Sequence, residues 1–572
     1  MSKWVVAAAW PYINSVPHLG TVLHLLTADV YARYLRQLGE DVISVSGSDE
    51  HGTPIEVEAR RRSIDPRALT DEAHEYVVGL LKKWGIELSN YSRTESEVHK
   101  EFVRDFMRRL EERGYIQPRE QTLPYCEKDK IFLPDRFIIG TCPRCGYPEA
   151  RGDQCDNCGA LLDPTDLINP RCVFCGSKPV YATTVHWFFD LSKVENEIRR
   201  WLEEHPRLDD RVKKYSLSWV REGLRPRAVT RDVRWGIRAP FKGAEEKTIY
   251  VWFDALLGYL SASKEYLEKN GRRFEDFWKD PNTKTVYFIG KDNIPFHAVI
   301  LPAMLIASGE NYPLPYHISS TEYILYEGEK FSKSRRIGLW IDEALEIIPE
   351  ADYWRYALMR MRPEERDSNF SWREFHRIVN SELNDDIGNF VHRVLIFIRR
   401  FFNSTVPEPG EFDDIDRETW SEIDANYREY IDLMDRFKIK QALERILNLS
   451  RIGNQYLNRR APWDELKKDP SRAATTIYIS VNIVGLIALL LYPFTPSSSE
   501  KLWKMLGMMH PIRDIVISRR AFYPIEPGTR LSDNIEPLFK KLPENFLEEV
   551  ERVLLPKVRE KIQKIRPESL RF

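Results

Sequence analysis

Residues 5–21, VVAAAWPYINSVPHLGT, decide the class of fold. The apolar run at 5–9 predicts a buried strand, and a Pro-rich loop follows it. An amphipathic helix is predicted to begin near Leu19 and to end before Gly39. A second apolar strand is expected directly afterwards, at residues 42–45. The chain therefore opens with a strand, a loop, a helix and a strand in close succession.

This order of elements favours a parallel sheet, because a strand–helix–strand crossover between parallel strands is almost always right-handed and compact. Similar apolar runs at 248–253 and 285–289 predict further strands of the same sheet. From Phe375 onward, apolar residues recur every three or four positions, which predicts a bundle of helices. We therefore expect a doubly wound α/β domain followed by a helical domain.

Residues 116–223 differ in character from the α/β sequence on either side. They hold all seven cysteines and many turn-forming residues. Such a segment between two halves of one α/β domain predicts an inserted domain.

Composition excludes a strongly basic protein. Lys plus Arg number 85 against 87 Asp plus Glu, so any surface for nucleic acid has to be a local patch. The N-terminal apolar run is too short for a signal peptide. The longest apolar run, 477–492, is interrupted by polar residues and predicts a buried core helix instead of a membrane span. A cytoplasmic protein is expected.

The loop before the first helix carries the first chemical signal. Free N–H groups at a helix N-terminus attract phosphate, and Gly20 leaves room for a nucleotide to approach the backbone. His18 and Thr21 are placed to donate hydrogen bonds to phosphoryl oxygens. The alternative is that His18 is an ordinary structural histidine.

The second signal is the basic loop at residues 330–335, KFSKSR, which follows Gly328. Ammonium groups at Lys330 and Lys333, on a loop able to move, can neutralise the charge that develops on a leaving pyrophosphate. Taken alone, such a run is usually solvated surface.

Together, the two segments resemble the paired signatures of class I aminoacyl-tRNA synthetases, in the expected order and far apart in the chain. The resemblance narrows to the methionyl-tRNA synthetase family at four further segments: AWPY (9–12), GSDEHGTP (47–54), YVWFDA (250–255) and FIGKD (288–292). It covers nearly the whole chain. It implies activation of L-methionine by ATP with Mg²⁺ and transfer to tRNA(Met), both initiator and elongator. One departure is Thr21, where many class I enzymes have a second histidine.

The resemblance also implies which residues act on each substrate. Asp49 would pair with the methionine ammonium, and the pocket would be completed by Tyr12, Trp252, Ala255, Leu256, Tyr259 and His297. The aromatic members suit this ligand because rings contact a thioether favourably. ATP would be bound by Gly20, Gly290, Asp292 and Lys333, with Asp292 on the ribose. Catalysis would fall to His18, Thr21, Lys330 and Lys333. Singly, the aromatic residues are also typical core residues, and Asp49 a typical turn residue.

The same resemblance divides the chain into a class I Rossmann-type catalytic domain, an insertion and a helical region. The implied segments are a first catalytic half (1–115), a connective insertion with zinc knuckles (116–228), a second catalytic half (229–318), a stem-contact domain with the basic loop (319–372), an α-helical anticodon-binding domain (373–543) and a C-terminal helix (544–572).

The cysteines predict two structural zinc sites. Two C-x2-C pairs separated by nine residues are typical of tetrahedral zinc and assign one site to Cys142, Cys145, Cys155 and Cys158. The remaining three cysteines need a fourth ligand, so the second site is assigned to Cys126, Asp129, Cys172 and Cys175. Asp129 is chosen because its spacing from Cys126 mimics a C-x2-C pair. Disulfide bonds are the alternative.

Three residues of the helical region resemble the family's anticodon-reading positions. Asn389 and Arg393 lie four residues apart on one predicted helical face, and Trp463 follows a proline at the start of another helix. Trp463 would stack on an anticodon base, while Asn389 and Arg393 would donate hydrogen bonds to base edges. A buried core tryptophan is the alternative.

Rival classes explain parts of this pattern. Leucyl, isoleucyl and valyl synthetases carry a large editing insertion where this chain has zinc knuckles, and a cysteinyl enzyme would need a zinc ligand upstream of Cys126. A zinc-ribbon RNA-binding or chaperone protein would not require His18 with Lys333. A generic nucleotidyltransferase would not require the anticodon-like residues.

The expected partners are therefore methionine, ATP and tRNA(Met), with no membrane and no DNA. Some members of the family dimerise through an additional C-terminal tRNA-binding domain, for which the chain has no room before Phe572. We expect a monomer assisted by a separate tRNA-binding subunit.

Overall fold

A computed structural model describes residues 1–571 except 154, 156, 159, 161, 334 and 523. Its centre is a parallel sheet of five strands. In spatial order these are His317–Thr321, Lys284–Gly290, Lys3–Ala8, Asp41–Ser48 and Asn90–Arg93. The predicted strand, helix and strand at the N-terminus are confirmed, with the helix at Leu19–Gln37.

Helices cover both faces of this sheet. On the Lys3–Ala8 strand, Val6 and Ala8 pack into the core shared with the Leu19–Gln37 helix. Val5 and Ala7 pack into a second core shared with the Val251–Lys269 helix. Alternation of buried side chains to two faces explains why the strand is a continuous apolar run. The predicted doubly wound α/β core is confirmed.

The predicted strand at 248–253 is wrong. Only Thr248–Ile249 is extended, and it pairs with Thr230–Arg231 in a separate two-stranded sheet. The Val251–Lys269 helix begins directly afterwards and is buried over most of its length. A helix buried on most sides shows little periodicity, so its first turn has the same apolar pattern as a buried strand.

The α/β region contains further helices on the flanks of the sheet: Thr53–Arg62, Pro66–Lys83, Glu97–Glu112, Glu275–Trp278 and Leu301–Ser308.

The insertion begins as a long antiparallel pair, Ile116–Cys126 with Val180–Phe189, edged by Ile131–Phe132 and Arg227–Ala228. A small sheet of Ile138–Thr141, Ala150–Arg151 and Ile168–Cys172 carries the cysteine loops. The helices Glu195–Glu204 and Asp210–Arg221 complete the insertion.

A short parallel pair, Ile324–Tyr326 with Ser368–Phe370, and the helices Ile341–Ile347 and Ala351–Arg360 follow the central sheet. The predicted boundary between residues 318 and 319 falls inside the His317–Thr321 strand. The helical region then contains Trp372–Arg377, a π-helical stretch Ile378–Gly388, Asn389–Phe401, Asp414–Asp435, Ile439–Arg460, Pro462–Lys468, Pro470–Leu491 and Pro496–Met505.

The Pro470–Leu491 helix is the one helix of the described chain that is long and apolar enough to cross a membrane. Its apolar segment is entirely buried inside the fold. This agrees with the predicted core helix.

The end of the chain folds back onto the α/β region. Phe546–Glu549, a π turn at Val550–Leu554 and Leu555–Ile565 form one helical stretch. Its last turn leads to Arg566, which is fully buried and whose Nε lies 2.6 Å from Asp342 Oδ2. The Arg559 guanidinium donates a 2.6 Å hydrogen bond to the Gly338 carbonyl. The C-terminal helix therefore supports the segment that follows the basic loop.

Candidate active site, metal clusters and tRNA-binding face

His18 caps the first helix. Its Nδ1 accepts hydrogen bonds from the backbone N–H groups of Gly20 and Thr21, at 3.1 and 3.3 Å. Since Nδ1 accepts, the neutral ring carries its proton on Nε2, which lies 3.2 Å from the Thr21 hydroxyl. Burial lowers the pKa of His18 to about 4. The side chain is therefore a neutral donor at the helix N-terminus.

The basic loop lies directly against this helix start. The Phe331 ring stacks on the His18 imidazole, with centroids 4.3 Å apart. Lys333 Nζ donates a 2.6 Å hydrogen bond to the Asn14 carbonyl of the first loop. Of the motif at 330–335, Ser334 lies outside the described residues. Two segments that are far apart in the chain thus form one site.

A cleft of about 440 Å³ opens beside these residues. Its lining includes Gly20, Thr21, Gly290, Asp292 and Lys330. A larger residue at position 20 would press on the His18 ring, because a Cβ there would lie 3.0 Å from the ring. Three of the four predicted ATP-binding residues, Gly20, Gly290 and Asp292, therefore line one cavity, while Lys333 is not among its lining residues.

Tyr323 organises the far wall of the cleft. Its hydroxyl lies 2.7 Å from both carboxylate oxygens of Asp292. The Lys330 ammonium lies 5.2 Å from the centre of its ring, within the range of a cation–π contact. Sequence reasoning missed Tyr323, which has no spacing relation to either signature.

Asp49 lies at the end of the second strand, next to the first loop. Its backbone N–H donates to the Pro11 carbonyl at 2.9 Å, and its carbonyl accepts from the Ile13 N–H at 3.1 Å. The side chain is buried, and its Oδ1 has no hydrogen-bond partner among the described residues. Burial and the nearby Asp254 carboxylate raise the pKa of Asp49 well above its usual value. A buried oxygen without a partner is suited to an incoming cation.

One face of the Val251–Lys269 helix carries the predicted pocket residues Trp252, Ala255, Leu256 and Tyr259 at helical spacing. Trp252 meets the Tyr12 ring edge-on, with centroids 6.3 Å apart. The Tyr259 hydroxyl lies 2.8 Å from His297 Nε2, while His297 Nδ1 lies 2.9 Å from the Asn293 carbonyl.

Phe296 is an aromatic residue that sequence reasoning missed. It stacks on Trp252, with centroids 4.3 Å apart and planes 10° apart. Phe296 begins a π-helical turn, Phe296–Ile300, that also holds His297. Such turns are frequent at functional sites, but they leave no periodic signal in a sequence.

A buried ionic network of His51, Asp254 and Glu95 lies next to Asp49. His51 Nδ1 is 2.9 Å from Asp254 Oδ2, and His51 Nε2 is 2.8 Å from Glu95 Oε1. Although burial opposes the charge, Asp254 and Glu95 raise the pKa of His51 to about 10. A histidine cation therefore bridges two carboxylates, and it links the segment that follows the second strand to the Val251–Lys269 helix.

The cysteines gather into two clusters in which the ligand atoms lie within 4.8 Å of one another. The first contains Cys142, Cys145, Cys155 and Cys158, and the second contains Cys126, Asp129, Cys172 and Cys175. All seven cysteines are free, and close sulfur pairs such as Cys126 and Cys175, 3.5 Å apart, are too distant for disulfide bonds. Asp129 Oδ2 lies 3.1 Å from the Cys172 sulfur. Both sets fit a tetrahedral metal ion.

The three predicted anticodon residues share one surface. Asn389 is exposed, and Trp463, 43% exposed, is not a core residue. The Arg393 guanidinium lies 5.8 Å from the Trp463 ring centre. Arg393 Nη1 also donates a 3.0 Å hydrogen bond to Asn454 Oδ1, which orients it. An exposed indole beside an oriented guanidinium can accept a stacked base.

The chain matches two family models and is similar to known proteins over its full length. A family model described as "tRNA synthetases class I (M)" matches residues 4–395, and one described as "Anticodon binding domain of methionyl tRNA ligase" matches residues 406–553. The methionine–tRNA ligase of Ignicoccus hospitalis is 56% identical, covering 99% of this chain and 100% of that protein. That of Aeropyrum pernix is 54% identical over the full length of both.

A solved structure of Mycobacterium tuberculosis methionyl-tRNA synthetase in complex with methionyl-adenylate is also similar. Its TM-score is 0.78 at 25% identity, and the match covers 94% of this chain and 100% of that one. A parallel sheet whose first strand leads into a helix start that meets a basic loop, followed by a helical anticodon domain, defines a class I aminoacyl-tRNA synthetase. The chain belongs to the methionyl-tRNA synthetases. It is a ligase that activates methionine with ATP and joins it to tRNA.

Proposed function

We propose that the cleft between the first loop and the basic loop is where methionine and ATP react to form methionyl-adenylate. The observation that supports this most directly is the stacking of Phe331 on His18, with Lys333 bonded to the Asn14 carbonyl. It joins two phosphate-binding segments at one cavity. The bound ligand named for the M. tuberculosis structure, methionyl-adenylate, is the intermediate of this reaction.

The methionine carboxylate is already ionised, so attack on the α-phosphorus of ATP needs no general base. Positioning and charge stabilisation supply the catalysis. The Nε2–H of His18 and the Thr21 hydroxyl donate to phosphoryl oxygens as the bond to pyrophosphate breaks. Mg²⁺ bound with ATP would neutralise part of the phosphate charge.

Lys330 and Lys333 stabilise the departing pyrophosphate. Lys333 rests on a carbonyl of the first loop, which keeps its ammonium beside the cleft before ATP arrives. Burial lowers the pKa of Lys333, as expected for an ammonium held against protein. When ATP binds, the Lys333 ammonium exchanges its hydrogen bond to the Asn14 carbonyl for one to a phosphate oxygen. The negative charge of that oxygen compensates the ammonium charge more fully than a neutral carbonyl does.

Asp49 binds the methionine ammonium through its unpartnered Oδ1. The rings of Tyr12, Trp252, Tyr259 and His297 enclose the side chain, together with Ala255, Leu256 and Phe296. Gly20, Gly290 and Asp292 hold the nucleotide, with Asp292 on the ribose. The 3′ ribose of tRNA then attacks the adenylate and releases AMP.

The test of this proposal is ATP–pyrophosphate exchange with each of the twenty amino acids. Exchange is expected with methionine and not with the other nineteen at comparable concentration. Exchange driven equally well by leucine or isoleucine would contradict the assigned pocket.

The anticodon face is predicted to act only on the second step. Trp463→Ala is expected to raise the KM for tRNA(Met) about 5- to 30-fold, since a base–aromatic stack contributes about 1–2 kcal/mol. Methionine-dependent ATP–pyrophosphate exchange without tRNA should stay unchanged. Trp219→Ala, a tryptophan of the insertion, is the matched control. A fall in exchange with Trp463→Ala would show a structural effect in place of tRNA binding.

We further propose that each cysteine cluster holds one structural Zn²⁺. Tetrahedral zinc would be ligated by four sulfurs in the first cluster and by three sulfurs and the Asp129 carboxylate in the second. Zinc would crosslink these short loops, and the chain would supply the two sets of ligands.

The zinc proposal predicts two ions per chain in the wild type and about one in Asp129→Ala, as measured by elemental analysis after exhaustive dialysis. Asp166→Ala, which changes an aspartate of the same insertion outside both clusters, should retain both ions. Two ions in the Asp129 variant would remove this residue from the ligand set.

We also propose that the chain is divided into six segments, with boundaries at 115, 228, 318, 372 and 543. Both initiator and elongator tRNA(Met) are proposed substrates, a separate tRNA-binding subunit is a proposed partner, and the cytoplasm is the proposed location.

A further inference from the structure

His24 is a cleft residue to which neither signature assigns a role. It lies on the Leu19–Gln37 helix, three residues after Thr21, so these two side chains share one helical face. Its half-buried side chain lines the same cleft as Thr21 and Gly290.

The His24 ring faces the end of a neighbouring strand. Its Nε2 lies 3.5 Å from the point that a Cβ on Gly290 would occupy. Gly290 ends the Lys284–Gly290 strand and lies two residues before Asp292. A ligand group that fills the space left by the missing side chain of Gly290 would therefore touch His24.

The polar atoms of His24 are available to a ligand. Within the described part of the chain its ring nitrogens make no hydrogen bond. Burial, with smaller contributions from Arg362 and His18, lowers the pKa of His24 to about 3. The imidazole is therefore neutral at neutral pH and offers one N–H donor and one acceptor.

We infer that His24 binds the nucleoside part of ATP by a hydrogen bond to the ribose or the base. This inference deepens the proposed function and rests on it. His24 lies about one helical turn beyond the N–H groups that attract phosphate, about 5 Å further along the helix. It also lies beside Gly290, on the side of the cleft assigned to the ribose. Both relations favour the nucleoside over the triphosphate.

The inference is tested in ATP–pyrophosphate exchange with adenosine as a competitive inhibitor. His24→Ala is expected to raise both the KM for ATP and the inhibition constant of adenosine about three- to tenfold, as for loss of one neutral hydrogen bond. The KM for methionine should stay unchanged. His24→Gln, which keeps an amide donor and acceptor at similar reach, should recover most of the loss. His510→Ala, an exposed histidine of the helical region, is the control.

The outcomes separate the possible roles. A weaker ATP interaction with unchanged adenosine inhibition would place His24 on the phosphates and overturn the inference. No change in either, or an equal rise in the methionine KM, would also overturn it, the latter by indicating a structural role. If His18→Ala and Lys333→Ala also left exchange unchanged, the proposed active site itself would fail.

Discussion

Alanine in place of Lys333 is expected to slow methionine-dependent ATP–pyrophosphate exchange by about 10²- to 10³-fold, mainly in kcat. The ammonium lies 2.6 Å from the Asn14 carbonyl, in the loop before the helix start that we propose binds phosphate. Its charge is needed most when the pyrophosphate departs, so its loss affects the transition state more than ground-state binding.

The measurement compares Lys333→Ala with Lys83→Ala, an exposed lysine at the end of the Pro66–Lys83 helix. The control should exchange at the wild-type rate. A Lys333→Ala enzyme with wild-type kcat and a raised KM for ATP would assign Lys333 to ground-state binding. Unaltered kinetics would remove it from the mechanism.

Asp49→Asn is expected to raise the KM for methionine about 30- to 700-fold. Removing one partner of a buried, hydrogen-bonded charge pair costs about 2–4 kcal/mol. The asparagine keeps the shape of the side chain, and the backbone bonds to Pro11 and Ile13 do not depend on the carboxylate. The KM for ATP should change little, because the two substrates occupy different parts of the site.

Asp352→Asn is the matched control, because Asp352 is also a buried carboxylate whose pKa burial raises. It accepts a 2.6 Å hydrogen bond from the Ser498 N–H, so its loss should lower stability without changing the methionine KM. An equal rise in KM for both variants would indicate that loss of fold, not of the ammonium contact, caused the Asp49 effect.

The raised pKa of Asp49 predicts that the KM for methionine depends on pH. Burial and Asp254 raise the pKa of Asp49, and only the ionised carboxylate pairs with an ammonium. The methionine KM should therefore rise as the pH falls, beginning at a higher pH than an exposed aspartate would allow. In Asp49→Asn this part of the pH profile should disappear.

Much of the fold was predictable because its signals are local. The first strand, the Leu19–Gln37 helix and the buried Pro470–Leu491 helix each follow from residues within the element itself. The 248–253 run was misassigned because a buried helix start and a buried strand share one apolar pattern. The domain boundaries and the roles of individual site residues stay predictions.

The sequence by itself indicated the class of the protein, because the residues at 5–21 and the basic loop resemble the paired signatures of class I aminoacyl-tRNA synthetases. The spacing of the cysteine pairs also predicted two sets of metal ligands. Only the tertiary structure decided which distant residues meet. It brought Phe331 onto His18, Phe296 onto Trp252 and His24 to Gly290. Such contacts depend on how whole helices and strands pack, and side chains that meet through packing leave no periodic trace along the chain.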